Sequence, residues 1–523
     1  MAFQSVSLDR FMGLDNSPDE LNLIPGQLRV NQNYLYLENG GLSERGGGSK
    51  IDDPPSAGVL YGLSSFTNDS DDTYLVCAQG TDLYYYDSAA WNALSLTLTG
   101  SKLTRFAQAG FGAARSLYAV NGNERIIKIT MTTGAVTGSI LAAAGTNNAP
   151  AGCQYIKLHK NRLFASDGAD TIYFTDTLDF DTWDKSNNNF QVDPGINGNI
   201  QAMEVWGDAL FIFKETAVYV LVNADAAVAD FKVLKTDAYT GTKSPDSVQR
   251  TRRGLFYFSE DGYVRIISPS ISFSSNEFTL GGSGSPIVSY AIQDFLKDDY
   301  DTSDMSNIQA FMHNDMYIFS YKSTENAQAY QDRTFFADTN KSITYAQEQT
   351  LQPFWGQFTG FDYRFMHVVN DVVYGAKGLD GEVHTTLTEG VHNDSGSAIK
   401  SKARIGWFAV GGASLYKRFN RVVMKADGQT YPLSLFFTAY NSGKGAPPDV
   451  TVGISKSLVS TSSSLVGSAI VGSYPLGNFG ITTQEYTTNL NGNYFQAQFQ
   501  NLNVDQPTKI YGLDLIFRSI RVK

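Results

Sequence analysis

Cysteine is almost missing from this chain: Cys77 and Cys153 are the only two among 523 residues. They stand far apart and form no CxxC pair, which argues against a disulfide framework or a zinc knuckle and predicts two buried small hydrophobes. Histidine is nearly as scarce. His159, His313, His367, His384 and His392 never fall into HxH, HExxH or HxE followed by PCxxC, so they read as surface or hydrogen-bonded imidazoles rather than metal ligands. Charge is thin, at 18% of residues against the roughly 25% of an ordinary domain. The balance is −12, which argues against gripping nucleic acid by phosphate neutralisation and leaves open a protein past which nucleic acid slides. Long hydrophobic runs are missing too. The most apolar stretch, ALFIFKETAVYVLV, is broken by Lys214 and Glu215, and MAFQSVSLDR has no apolar signal region. Neither a signal peptide nor a membrane span is expected, and assembly is expected in a cytosol. Helix is expected to be scarce, with IVSYAIQDFLKDDY at 287–300 the best candidate.

What is plentiful points to β structure: 29 Tyr, 33 Phe and 48 Gly, with abundant Ser, Thr and Asn. Apolar strands recur around tight turns at TYLVCAQGTDLYYYD, SLYAVNGNERIIKIT, NRLFASDGADTIYFTD, DALFIFKETAVYVLV, GLFYFSEDGYVRIIS, DMYIFSYK and DVVYGAKGLDGEVHTTL. With Tyr74, Leu117, Leu163, Leu210, Leu255, Met316 and Val372 as equivalent points, the steps are 43, 46, 47, 45, 61 and 56 residues. Asn121-Gly122, Asp167-Gly168, Asp261-Gly262 and Asp380-Gly381 supply turn residues that tolerate positive φ; Gln79-Gly80 is a weaker version, and Lys214-Glu215-Thr216 lacks glycine. A hairpin alone is marginal, but a period of about 40 to 50 residues fits a four-stranded propeller blade, which hides its apolar faces only against the next blade. The expectation is an all-β chain: a propeller of six or seven blades, irregular in its later steps, over residues 57–400. The alternative is a run of hairpins in two or three sandwiches, since no WD-type signature residue repeats.

The flanks read differently. Residues 1–56, with Pro18, Pro25, Pro54, Pro55 and the triplet Gly46 to Gly48, predict an extended N-terminal arm with one hairpin. Residues 401–523 carry longer alternating strands, in ARIGWFAVGG, RFNRVVMKADG, YPLSLFFTAY, NYFQAQFQNL and KIYGLDLIFRSIRV, and predict a separate sandwich-like β domain. SKSLVSTSSSLVGSAIVGS at 455–473 reads as either a polar loop or an extended hairpin.

Gly281 to Ser285 lacks the Lys-Ser/Thr of a phosphate-binding loop, and no GxSxG occurs. The acidic clusters Asn68 to Asp72 and Lys297 to Asp304 lack the Gly and distal Glu of an EF-hand and read as solvated loops. Asp170, Asp176, Asp179, Asp181 and Asp184 could include a glycosidase pair at a propeller mouth, but nothing in the sequence makes two of them converge. The basic run Gln249 to Arg253 is too small for a nucleic-acid groove and reads as an exposed loop binding a neighbouring subunit's acids. No catalytic, cofactor-binding or metal residue is assigned; the chain is read as not an enzyme and as needing no cofactor.

The segment FMGLDNSPDELNLIPGQLRVNQNYLYLENGGLSERGGGSKI, residues 11–51, resembles the N-terminal pattern of tail and neck proteins of tailed bacteriophages. It holds a Gly-Leu phrase, a Pro-Gly segment, an Asn before a short strand, then Gly41, Leu42, Arg45 and Gly46 in a Gly-Leu-x-x-Arg-Gly turn. HKNRLFASDGADTIYFTDTLDFDTWD, INGNIQAMEVWGDALFIFKETAVYVL and GLFYFSEDGYVRIIS are similar to the middle region of the same proteins, so the resemblance covers about residues 11–270 and rests on the order of the segments. The best match is the tail nozzle or hub, the second-ring tail tubular protein of short-tailed phages. That resemblance implies a virion structural protein in the tail: a hexameric ring below an adaptor protein, a conduit for ejected double-stranded DNA without specific binding, and a dock for fibres or spikes. The alternatives are a receptor- or glycan-binding propeller and, third, a glycosidase.

Overall fold

The computed structural model describes residues 3–16, 23–54, 58–132, 135–144, 147–238, 240–268, 271–274, 277–280, 284–326, 331–344, 351–378, 380–410, 414–427, 432–440, 454–458 and 482–520. Six of the seven apolar phrases of the sequence form the second and third strands of a blade, and DMYIFSYK forms the second strand of another. Blade 1 comprises Leu60–Thr67, Thr73–Gln79, Asp82–Tyr86 and Trp91–Thr97, and blade 2 Arg105–Ala109, Ser116–Val120, Ile127–Thr132 and Ala135–Ile140. Blade 3 is Tyr155–His159, Arg162–Ser166, Thr171–Phe174 and Asn189–Gln191; blade 4 is Ile200–Trp206, Ala209–Lys214, Val218–Val222 and Lys232–Lys235. Blade 5 has Gln249–Thr251, Gly254–Phe258 and Val264–Ile267; blade 6 has Gln309–His313, Met316–Tyr321, Arg333–Thr344 and Leu351–Phe358; blade 7 has Tyr363–Val369, Val372–Lys377 and Val383–Thr386. The chain is an all-β propeller of seven blades, within the expected six or seven.

The two long steps have local causes. Between blades 5 and 6 the chain inserts the hairpin Ile271–Ser274/Glu277–Leu280 and the short helix α1, Gln293–Asp299, which lies inside the candidate helical segment 287–300. Between Met316 and Val372 the long strand Arg333–Thr344 extends blade 6.

Burial follows the ring. Phe66, Val76 and Leu83 of blade 1 pack with Leu117, Ile127 and Ile129 of blade 2. Tyr118 and Val120 meet Leu163 and Ala165, Phe164 and Phe174 meet Leu210 and Ile212, and Phe211 and Phe213 meet Leu255 and Tyr257. Phe256 and Phe258 meet Tyr317 and Phe319. The ring closes where Val369, Ala376 and Val383 of blade 7 pack on Leu60, Leu75 and Cys77 of blade 1. At about 25 cal/mol per Å2 of apolar area, each interface of this kind stabilises only while both blades are present.

Closure also uses the chain ahead of blade 1. Residues 47–51 run antiparallel beside the last strand of blade 7: Ile51 N donates to Val383 O at 2.9 Å, Thr385 N to Ser49 O at 2.9 Å and Thr388 N to Gly47 O at 2.9 Å. The missing fourth strand of blade 7 therefore comes from the N-terminal segment. On its far side the same backbone meets residues 391–395, with Gly47 N on Val391 O at 2.7 Å and Gly48 N on Asn393 O at 2.9 Å.

The rest of that segment is built into the C-terminal sandwich. Gln4–Leu8 pairs with Lys509–Ser519, and the expected hairpin, Tyr34–Tyr36 with Leu42–Glu44, joins the same sheet, which continues to Lys417–Ala426 and Thr482–Gly492. The facing sheet runs from Gln27–Gln32 through Ser401–Ile405, Tyr494–Asn501 and Leu433–Tyr440 to Ile454–Leu458. Gln32 also pairs with Gln357 of blade 6, so propeller and sandwich share one sheet. Phe419, Val422 and Leu515 from one face pack with Leu435, Phe437 and Phe499 from the other. Of the serine-rich stretch 455–473, residues 455–458 are strand and the remainder lies outside the described residues.

The glycine triplet is a steric requirement of the closing strand. A Cβ would lie 2.4 Å from Thr388 O at Gly46, 1.9 Å from Asn393 O at Gly47 and 1.8 Å from Thr385 O at Gly48. Gly48→Ala should therefore lower stability by about 1–3 kcal/mol, as overpacking does, read as a lower urea midpoint in circular dichroism; an unchanged midpoint would contradict this account of ring closure.

Candidate functional site

The seven innermost strands surround an axial hollow of about 250 Å3. Its polar lining is cross-braced. Arg105 of blade 2 reaches Asp246, just ahead of blade 5, through two bonds of 2.7 Å, and its remaining amine donates to Gln154 O at 3.1 Å. The guanidinium also lies 4.8 Å from the centroid of Tyr155. Gln309 Nε2 adds a third contact to Asp246 at 3.1 Å. Burial raises the pKa of Asp246, but Arg105 and these bonds outweigh it and hold the carboxyl below its ordinary range. Lys157 of blade 3 pairs with Glu204 of blade 4 at 2.6 Å. At about 30 Å3 per water, such a hollow holds about eight solvent molecules, and the pairs that cross it brace the blades against one another.

The five aspartates of 170–184 are separated by their partners. Asp170 binds Lys214 Nζ at 2.8 Å and Gly195 N at 2.8 Å. Asp181 accepts from Tyr118 at 2.8 Å and Lys128 at 2.6 Å. Asp179 accepts from the amides of Asp181 and Thr182, Asp184 from those of Ser186 and Asn187, and Asp176 from Asn188 Nδ2. Asp170 and Asp181 thus tie neighbouring blades, and the others shape a loop. In the acidic clusters, Asn68 Oδ1 organises its own turn through Ser70 N and Asp72 N, Asp299 receives Arg333 and Tyr321, and Asp301 receives Lys322. Among the described residues no three His, Cys, Asp or Glu side chains gather in a metal-binding group. Residues 281–283 of the glycine run lie outside the described residues.

The histidines are spread through the molecule. His159 is buried beside Phe164, and burial pushes it down to about 4; His367 shares a 2.9 Å bond with Ser65 and is pushed down to about 4 for the same reason. His384 sits between Glu382 at 3.0 Å and Ser395 at 3.2 Å. His313 contacts Asn314, and burial lowers the pKa of His392. Cys77 and Cys153 are buried free thiols, both raised by desolvation. Of the basic run, Arg252 and Arg253 turn to blade 6 of their own chain, at Asp315 (2.9 Å) and Asn340 O (3.2 Å); Arg250 is exposed.

A second dense polar constellation, around Arg45, is one the sequence did not announce as a site. Arg45 is fully buried. Its guanidinium binds Asp394 at 2.6 and 3.1 Å, Asn33 Oδ1 at 3.0 Å and Gly46 O at 3.0 Å, and lies 5.2 Å from the centroid of Phe361. Asn33 in turn donates to Thr359 Oγ1 at 2.7 Å and Lys400 O at 3.0 Å and accepts from Thr359 N at 2.9 Å. Its φ of 62° is one that Asn tolerates better than most residues. Propeller, sandwich and N-terminal segment meet at these two side chains.

No protein-family model matches the chain, and no curated protein matches it. Among solved structures it is similar to a chain of a mitotic checkpoint complex, at 12% identity over 65% of this chain and 94% of that one, with a TM-score of 0.39. It is also similar to the Cps50 (Swd1) β-propeller domain of Myceliophteria thermophila, at 11% identity over 65% and 99%, TM-score 0.39. YCF48 from Cyanidioschyzon merolae matches at 10% identity over 65% and 98%, TM-score 0.38.

Glu44, next to the buried arginine, accepts from Ser401 at 2.6 Å and Asn501 at 3.0 Å through one oxygen. Burial, against those bonds and the Arg45 charge, pushes it up to about 7. A carboxyl with a raised folded pKa keeps its proton when the unfolded chain has released it, so stability falls as pH rises from the ordinary carboxyl range to about 7. His159 and His367 act in the opposite direction, losing stability as pH falls from 6.5 toward 4. Glu44→Gln should therefore raise the urea midpoint relative to the parent at pH 8 and have little effect at pH 5; an equal change at both values would contradict a carboxyl held protonated by burial.

Proposed function

We propose that this chain is a virion structural protein, one subunit of a hexameric nozzle or hub ring in a phage tail, which lets DNA pass during ejection and docks fibres or spikes. The observation that carries the reading is the ordered pattern of residues 11–51. Asn33, Gly41, Leu42, Arg45 and Gly46 resemble the N-terminal pattern of such proteins, and in this fold the same stretch links propeller to sandwich. A part that must resist forces between two domains has use for such a link.

Two physical features support assembly. The propeller axis is spanned by the Arg105–Asp246 pair, so in this reading DNA passes between copies around a shared axis. Exposed apolar side chains stand on or beside the sandwich at Phe3, Val6, Leu415, Leu502 and Val504, and such groups are candidates for burial against a neighbour. Six copies at −12 each carry a formal −72, which disfavours DNA adhering to the walls. The ring would assemble in the host cytoplasm beneath an adaptor protein. No helix of the described residues is long and apolar enough to cross a membrane.

Light scattering and negative-stain imaging of the purified chain test the reading. The expected result is a mass near six times 57.3 kDa and rings with an axial hole, alone or on addition of the adaptor; a chain that remains monomeric under both conditions would overturn it.

A further inference from the structure

On the face where each innermost strand turns into the second, three tight turns stand side by side: Gly207-Asp208 of blade 4, Arg252-Arg253 of blade 5 and Asn314-Asp315 of blade 6. They border a hollow of about 510 Å3 whose walls include Trp206, Arg250, Arg252, His313 and Asn314. Its charge runs against that of the chain. Asp315 is the one carboxylate in the lining, and it is occupied by Arg252 at 2.9 Å and Asn340 Nδ2 at 2.9 Å.

Two donors there are left over. Arg250 is exposed and, among the described residues, its guanidinium has no hydrogen-bond or ion-pair partner; the indole N–H of Trp206 has none either. Both stand on innermost strands, Arg250 opposite Leu255 and Trp206 opposite Ala209, so their backbones are fixed by sheet pairing. Trp206 packs against the core between blades 4 and 5 and is half-buried, which orients the ring without covering it. Asn314 and His313 bond each other at 3.0 Å, and Asn314 has φ 46°, so the third wall is held as well.

A flat aromatic with a free N–H, beside one unpaired guanidinium in an open polar hollow, matches one chemical class. The apolar face of a pyranose stacks on an indole, its hydroxyls meet amide and imidazole groups, and a guanidinium takes an anionic substituent through two parallel bonds. A nucleic acid strand would need several unpaired cations along a track, and here two of the three arginines of the run are engaged within the chain. We propose that this hollow binds an acidic sugar, a pyranose bearing a carboxylate or a phosphate ester, stacked on Trp206 with its charge on Arg250. The site needs only blades 4 to 6 of one chain and stands independently of any assembly into a hexamer.

Calorimetric and fluorescence titration of the full chain tests this with digalacturonate, glucose 6-phosphate, maltose and inorganic phosphate. Digalacturonate or glucose 6-phosphate should bind, with maltose and inorganic phosphate at least about tenfold weaker; the acid that binds identifies the charge as carboxylate or phosphate. Arg250→Gln should weaken the acidic sugar about tenfold or more, as loss of a charged hydrogen bond does, without moving the unfolding midpoint. Trp206→Phe should keep the fold and remove the fluorescence change. Failure of both acids to bind at millimolar concentration, equal binding of maltose or of inorganic phosphate, or full affinity in Arg250→Gln would each overturn the proposal.

Discussion

One buried charge organises this molecule. Arg45 has no access to water, and an unpaired guanidinium in such a place would cost several kcal/mol. It is tolerable only while Asp394, Asn33 and the carbonyl of Gly46 are all in position. Those partners belong to the segment 391–395 after blade 7, the residue that follows strand Gln27–Gln32 of the shared sheet, and the glycine strand that completes blade 7. Satisfying Arg45 therefore means that ring closure and sandwich docking have both taken place. A hydrophobic side chain could fill the same space, but it would not specify which three segments must meet there.

The propeller around that junction is stabilised in layers. Apolar faces between successive blades provide most of the burial, and the polar residues at the blade margins make cross-links: Lys128 to Asp181, Lys160 to Asp208, Lys214 to Asp170 and Arg105 to Asp246. The exposed members of this set contribute little. Lys214 and Arg105 are different, because their side chains are 0% and 18% exposed and losing either partner would strand a charge. The same turns that end the innermost strands present arginine, asparagine and tryptophan on one face, so a scaffold built for rigidity also displays chemistry at fixed spacing.

Much of the propeller is legible in the residues. Six of the seven apolar phrases become second-and-third-strand hairpins and DMYIFSYK becomes a second strand alone, and the Asn-Gly and Asp-Gly pairs fall in the hairpin turns. The Asn or Asp that precedes several phrases marks a second turn: Lys160-Asn161, Asn314-Asp315 and Asn370-Asp371 have positive φ at both residues and join the innermost strand to the next one. Reading those pairs as turns locates the innermost strands of blades 3, 6 and 7. Other features were out of reach. Arg45 lies 349 residues from Asp394, and no local pattern marks an arginine for burial. The N-terminal segment reads as an extended arm because prolines and glycines interrupt it and apolar runs are few; the partners of its short strands, such as Lys509–Ser519 for Gln4–Leu8, lie at the other end of the chain. Trp206 and Arg250 lie just ahead of two separate phrases, and only the closed propeller brings blades 4, 5 and 6 together around one hollow.

Hydrogen exchange on Arg45→Met tests the central claim most directly. If Arg45 couples ring closure to sandwich docking, the amides of Ile51, Thr385 and Thr388 and those of the paired strands Gln4–Leu8 and Lys509–Ser519 should lose protection together, while blades 3 and 4 keep theirs. Loss confined to the immediate neighbours of residue 45, with the closing strand as protected as in the parent, would contradict it.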